Sequence, residues 1–208
     1  VIHLPRGFLF SACKAGIKAS GNPDLAFAYM PEGSAAAAMF TRNQVVAAPV
    51  TVGREHLRSS RGRIKALIVN AGNANCATGA QGLKAARAVC SQTANEIGVK
   101  PNQVFPSSTG IIGVPLPVEK ITAALPGLVA AANPDALAAF ATAIMTTDTR
   151  AKMASQEITY KGKKSMIAGV AKGAGMIHPN MATMLAYLFT DVEASPRELQ
   201  KYLQAAVG

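Results

Sequence analysis

Short apolar runs, broken by Pro, Gly, Asn or Arg, dominate the first third of the chain. Leu25 to Met30, Ala35 to Phe40 and Val45 to Val52 are such runs, and Ala66 to Val69 is a fourth. Runs of this length between turn formers suit strands of a buried sheet. The period then changes: Leu83, Ala86, Val89, Cys90, Ala94 and Ile97 recur at spacings of three and four, which predicts a helix. Between the fourth run and this helix lies Asn70-Ala71-Gly72-Asn73-Ala74-Asn75-Cys76, a polar, turn-forming stretch, so the order is strand, loop, helix.

Further on, Asn133 followed by Pro134 has the form of an N-cap with proline at the first helical position. Leu137, Phe140, Ala141 and Ile144 supply its apolar stripe, ending near Met145. Ser165 to Val170 and Thr183 to Phe189 read as strands, with Lys161-Gly162 as a hairpin turn before the first of them. Ser195-Pro196-Arg197-Glu198 is a capping box, and Leu199, Tyr202, Leu203 and Ala206 continue it as a helix. No fixed-period repeat and no Gly/Ser- or Pro-rich linker divides the chain, so the expectation is one domain of mixed sheet with packed helices. Because the last helix has an apolar face and no following element, that domain is expected to be part of a larger folding unit.

Composition strengthens this expectation. Half of the 208 residues are apolar and only 15% are charged, well below the roughly 25% of ordinary soluble domains. A large apolar face buried against a partner follows. No apolar run approaches the ~20 residues of a membrane-spanning helix, and Val1 to Ser20 carries Arg6, Lys14 and Lys18 without a signal-peptide layout. Cys13, Cys76 and Cys90 are an odd set without a CxxC pair, which points away from a disulfide framework or zinc knuckle and towards a soluble protein of the reducing cytoplasm.

Twenty-one Lys and Arg against eleven Asp and Glu, a formal charge of +10, raise the question of nucleic acid. The densest cluster, Arg54, Arg58, Arg61, Arg63 and Lys65, contains no aromatic residue to stack bases and reads better as a solvated connecting loop. Basic charge can instead concentrate carboxylate-bearing metabolites near a site. Metal and nucleotide chemistry find little support either: the histidines are only His3, His56 and His178, with no HExxH and no phosphate-binding GxxxxGK[ST] loop.

Among nucleophiles, Cys76 follows a polar loop where a helix N-terminus could activate it, but a buried small hydrophobe is the preferred reading. His178 reads as a turn residue without a catalytic role. The unusual segment runs from Ala171 to Leu185, where a glycine-rich turn and Pro179 precede Thr183. In an intact chain Thr183 is simply a β-branched strand residue. Cleavage before it changes its chemistry: a free α-amine titrates near 7.7 to 8.0, against about 10.4 for a lysine side chain, and could take the proton of its own hydroxyl near neutral pH. The same hydroxyl could first attack the Ala182 carbonyl and turn the amide into a hydrolysable ester.

Ala15-Gly16-Ile17-Lys18, Phe40-Thr41-Arg42-Asn43, Asn70 to Asn75, Ser108-Thr109-Gly110-Ile111-Ile112-Gly113, Met145-Thr146-Thr147-Asp148 and Lys172 to Leu185 together span nearly the whole chain. On these segments the sequence resembles the amino-terminal part of the ornithine acetyltransferase family, the bifunctional glutamate N-acetyltransferases of arginine biosynthesis. The resemblance implies self-cleavage between Ala182 and Thr183. Residues 1–182 would then be the alpha-chain portion of one catalytic domain and 183–208 the truncated start of the beta-chain portion. It also implies that Thr183 accepts the acetyl group of N-acetylornithine and passes it to glutamate. Thr109 and Gly110 would form the oxyanion hole, although by themselves Ser107 to Gly113 read better as an ordinary strand-ending turn.

By the same resemblance Lys172 would hold substrate carboxylate and Thr146 would contact the substrate, with Thr147 as its alternative. Without that context they are a snorkelling lysine and a helix-ending hydroxyl. Asn75 is a weaker candidate for polar support behind the oxyanion turn. The implied fold is a layered α/β sandwich resembling the amino-terminal-nucleophile hydrolases with different connectivity. No metal and no resident cofactor are implied, though acetyl-CoA can serve as co-substrate. Expected partners are the carboxyl-terminal beta portion and further alpha-beta pairs in a higher oligomer, with no nucleic acid and no membrane. Three rival readings remain open at this point: a self-processing amidohydrolase or aminopeptidase with the same nucleophile, a basic nucleic-acid-binding module, and an inactive half that merely assembles.

Overall fold

A computed structural model describes residues 2–173 and 184–207. In chain order the elements are β1 (Leu9–Cys13), β2 (Leu25–Ala35), α1 (Ala48–Ser59), β3 (Arg63–Asn73), α2 (Gly79–Ile97), β4 (Val104–Ile111), α3 (Val118–Ala130), α4 (Leu137–Ala143), β5 (Lys152–Tyr160), β6 (Lys163–Lys172), β7 (Leu185–Thr190) and α5 (Pro196–Val207). The first sheet has the order β1-β2-β3-β4, antiparallel except for the parallel β3–β4 pair. A parallel pair needs a crossover, and α2 supplies it. The second sheet, β5-β6-β7, is antiparallel throughout.

Both faces of β2 and β3 are apolar, so both must be covered. Leu25 and Phe27 of β2, with Ala66 and Ile68 of β3, pack under α1, α2 and α3 through Val52, Val89 and Ile121. Their sequence neighbours Ala26, Ala28, Leu67 and Val69 face the other way, onto α4 and onto Ala168, Val170 and Phe189 of the second sheet. The result is a helical layer, then a mixed sheet, then a second sheet. Aromatic edges join the sheets. Phe189 of β7 meets Phe10 at 4.9 Å between ring centroids, Phe8 at 5.4 Å and Phe140 at 5.8 Å, all near-perpendicular. Such pairs add about 0.5–1.5 kcal/mol each beyond the area they bury.

Several expected elements are present. The runs from Leu25 and Ala66 lie in β2 and β3, the 83–97 stripe lies in α2, and Lys161-Gly162 turns the β5–β6 hairpin with φ of 49° and 78°. The capping box holds too: the Glu198 N–H donates to Ser195 Oγ at 3.2 Å, and the Glu198 carboxylate accepts the Ser195 N–H at 2.8 Å. Of the expected strand Thr183 to Phe189, the described part from Leu185 is β7, while Thr183 lies outside the described residues.

Other expectations are corrected. Val45 to Val52 is not a strand: Ala48 starts α1, whose buried Ala48, Pro49, Val52 and Gly53 repeat at helical spacing. Beyond Ala35, the run to Phe40 forms no regular element. Asn133 does not cap α4, whose N-cap is Ala136; its backbone instead exchanges two hydrogen bonds with Phe10, at 2.8 and 2.9 Å. Of the basic cluster only Arg61 lies in the connecting turn. Arg54 and Arg58 belong to α1, Arg63 and Lys65 to β3, and the Arg54 guanidinium covers the Phe40 ring at 4.9 Å.

Candidate active site

At the carboxyl ends of the parallel strands β3 and β4, Ala71 pairs with Thr109 and Gly72 with Gly110. The approach is so close that a Cβ on Gly110, whose φ is +136°, would lie 2.3 Å from the Gly72 carbonyl carbon and 2.5 Å from the Asn73 nitrogen. Side-chain amides brace this turn. Ser108 Oγ donates to Asn70 Oδ1 at 2.5 Å, Asn70 Nδ2 donates to the Asn73 carbonyl at 2.8 Å, and Asn73 Nδ2 reaches the carbonyls of Val114 and Pro115, each at 3.1 Å. Asn75 is buried but turned elsewhere: it donates to the Gly82 carbonyl at 3.0 Å and accepts from Thr78 Oγ1 at 3.1 Å, securing the entry to α2. The polar support sought in Asn75 comes from Asn70, Asn73 and Ser108.

Lys172 ends β6 beside that turn. Its Nζ donates to Thr109 Oγ1 at 3.0 Å and to Thr146 Oγ1 at 2.7 Å. Thr109, Thr146 and Lys172 therefore converge from the first sheet, the α4–β5 connection and the second sheet, and Thr146 rather than Thr147 meets the ammonium. Each threonine oxygen accepts from a cation, so its own O–H stays available to donate. Ala182 and Thr183, like His178, lie outside the described residues.

Charge around Lys172 is organised. Burial lowers its pKa below the usual lysine value, the Asp148 carboxylate raises it, and Lys152 lowers it. Asp148 has a fully buried side chain. Burial alone would raise its pKa, but a Lys152 ammonium at 2.5 Å, the Gly173 N–H at 2.8 Å and the Thr146 N–H at 3.4 Å hold it at about 2. Lys18, in the β1–β2 loop, donates to the carbonyls of Pro23 at 2.6 Å and Ala143 at 2.9 Å. Burial lowers its pKa, Asp24 opposes that, and Lys172 adds to it. The buried Asp24 shapes this loop by accepting the N–H groups of Ala15, Ile17 and Lys18 at 2.5 to 2.9 Å.

Sequence reasoning assigned no role to Lys18, Asp24 or Asp148. Lys18 and Asp148 sit inside segments that carry the family resemblance, and a charged residue in a chain this poor in charge was the available signal. Cys76 is half-buried rather than buried, and its carbonyl accepts the Gly113 N–H at 2.9 Å. Among the described residues, no three His, Cys, Asp or Glu side chains gather as a metal site, and no helix is long and apolar enough to cross a membrane.

Helices over a mixed sheet, a second sheet behind it and a polar cluster at the strand ends define a layered α/β sandwich of the amino-terminal-nucleophile-hydrolase type. Crystal structures that share it include two of named proteins. The arginine biosynthesis bifunctional protein of Bacillus halodurans superimposes with a TM-score of 0.80 at 36% identity, over 86% of this chain and 92% of that one. The ornithine acetyltransferase of Mycobacterium tuberculosis, complexed with ornithine, gives 0.73 at 34% identity, over 87% and 94%. The ArgJ family model matches residues 9–208, and the chain belongs to the ArgJ family. Its relatives include the arginine biosynthesis bifunctional proteins ArgJ of Methylococcus capsulatus, 49% identical over 97% of this chain and 49% of the relative, and Geobacter sulfurreducens, 46% identical over 97% and 51%. The chain spans about half the length of the curated relatives it matches.

Proposed function

We propose that this chain forms part of an acetyltransferase that moves the acetyl group of N-acetylornithine to glutamate through an ester on Thr183, freed by self-cleavage after Ala182. The observation that carries this reading is the Lys172 ammonium held between the Thr109 and Thr146 hydroxyls. Family membership supports it, as do the relatives named for arginine biosynthesis and the neighbour crystallised with ornithine. Residues 1–182 then form the alpha portion and Thr183 opens the beta portion. The first described pair of the β6–β7 ladder, Leu185 with Lys172, supports this reading.

In the first half-reaction the Thr183 amine takes the hydroxyl proton and Oγ attacks the acetamide carbonyl. The Thr109 O–H and Gly110 N–H receive the developing oxyanion, and the Thr109 donor is oriented because its oxygen is already bonded to Lys172. The protonated amine then hands its proton to the departing nitrogen, the C–N bond breaks and ornithine leaves. Glutamate's amine reverses the sequence and carries the acetyl group away. Lys172 grips the α-carboxylate common to both amino acids, while Thr146 contacts whichever is bound. Acetyl-CoA is an alternative donor to the same threonine. The carboxyl-terminal portion completes the substrate site, and alpha-beta pairs assemble into a larger oligomer.

Intact-mass analysis of the full-length gene product tests this directly. Two chains are expected, the second starting at Thr183 and gaining one acetyl group with N-acetylornithine alone, then losing it to glutamate. An active preparation with Thr183 still internal would sink the proposal. Thr109→Val, which keeps the shape and deletes the donor, should lower kcat by about 100-fold or more while KM changes little, as steady-state assays would show.

A further inference from the structure

Resting on the reading above, we propose that Asp148 is a positioning residue for Lys172: it pins the two backbone segments that flank the ammonium and places a buried carboxylate against the residue next to it. The pinning is visible in its hydrogen bonds. Oδ1 accepts the N–H of Gly173, the residue after Lys172, at 2.8 Å, and Oδ2 accepts the N–H of Thr146, whose hydroxyl meets Lys172, at 3.4 Å. One carboxylate thus fixes the end of β6 and the threonine that faces it.

Holding two N–H groups needs only an acceptor, which an amide also provides. A fully buried carboxylate is costly to desolvate, and the Lys152 ammonium at 2.5 Å offsets part of that cost. The charge kept there also acts on Lys172. Among the described residues that lysine feels like charges from two sides, Lys18 of the β1–β2 loop and Lys152 of β5, and Asp148 is the acidic group acting on it. Asp24 is committed to the Lys18 loop, Thr109 on β4 and Thr146 after α4 bring neutral hydroxyls, and Leu185 across the ladder on β7 brings no charge.

Losing the cation would do more than weaken carboxylate binding. A neutral amine is an acceptor as well as a donor. The Thr109 O–H could then turn onto Nζ, away from the position where it stabilises an oxyanion. Asp148 therefore protects the direction of the hydrogen bonds as well as their strength.

The test is the pH dependence of kcat/KM for N-acetylornithine in the full-length protein, its Asp148→Asn form and its Lys152→Gln form. Asn keeps an acceptor for Gly173 but removes a negative charge, so Lys172 should release its proton more readily and the alkaline limb should move to lower pH. Lys152→Gln removes a positive charge, and the limb should move to higher pH. At neutral pH, Asp148→Asn should lose about tenfold in kcat/KM, the scale of a hydrogen bond to a charged group. A merely structural role would lower activity or melting temperature without moving either limb.

Both limbs unmoved in folded variants would overturn the proposal. Should Asp148→Asn not fold alone, it is combined with Lys152→Gln, which removes the ammonium otherwise left without its partner: a limb below that of Lys152→Gln by itself supports the role, and coinciding limbs refute it. A wild-type protein with no acetyl transfer would overturn the acetyltransferase reading itself, and this inference with it. Wild-type transfer with unmoved limbs removes the role of Asp148 alone.

Discussion

Thr183→Ala is expected to remain a single uncut chain and to lose acetyl transfer by on the order of 10³-fold or more, the scale seen when a catalytic nucleophile is deleted. The two losses share one cause. In the proposed chemistry the hydroxyl first attacks the Ala182 carbonyl and later the acetamide, so alanine removes the attacking atom from both reactions. Thr183→Ser keeps the oxygen and, after cleavage, the adjacent amine, and should be cut and active at a reduced rate. Activity of the cut enzyme should rise with pH through about 7.7–8.0 as the α-amine loses its proton. Intact mass and a single-turnover assay measure both effects. An alanine variant that retains more than about a tenth of wild-type transfer would place the nucleophile elsewhere.

Gly110→Ala is the second large effect, and here packing decides. At φ of +136° the new methyl would meet the Gly72 carbonyl carbon at 2.3 Å, the Asn73 nitrogen at 2.5 Å and the Gly72 oxygen at 2.6 Å. All three are backbone atoms of the paired strand, so no flexible side chain can move aside. Strain and overpacking together should cost about 3–5 kcal/mol, measured by chemical denaturation. Relief requires β4 to part from β3, which carries Thr109 away from Lys172 and should abolish transfer in whatever fraction still folds. Gly113 provides the control: its φ is +83° but nothing lies within 4 Å of an added Cβ, so Gly113→Ala should cost only about 1–2 kcal/mol.

What could be read from the chain and what could not separate along physical lines. Strands buried on both faces, such as Leu25 to Met30, announce themselves by continuous apolarity, and α2 and α5 by helical period or capping chemistry. Val45 to Val52 misled because apolarity without a clear period fits strand and buried helix alike; Pro49, at home in a first helical turn, was the discriminating residue. β4 was hidden by Pro106, which removes a ladder donor and is tolerated because β4 lies at the edge of its sheet. α3 was hidden by Pro126 and Gly127 within it, although Ile121, Leu125 and Leu128 keep a buried stripe. β5 escaped because its exposed face is polar and the inward one only half-buried.

The candidate site divides in the same way. Thr109, Gly110, Thr146 and Lys172 were reached through family resemblance, since a threonine or lysine in isolation has many ordinary uses. Their convergence depends on contacts 26 to 63 residues apart, which no local pattern encodes. Asp24 and Asp148 remained unread because burial is what gives them meaning, and beyond the scarcity of charge in this chain no local pattern announces it.

Phe189, wedged against Phe8, Phe10 and Phe140, has a consequence in time. During synthesis the first sheet and its helices can emerge and fold before that ring leaves the ribosome. Until Phe189 and its strand neighbour Tyr187 seat against Phe140, the later hairpin lacks the aromatic contacts that join it to the earlier layers, and with them part of what holds Lys172 beside Thr109. Any peptide-bond chemistry that relies on this juxtaposition is thereby postponed until the nascent polypeptide has closed around it.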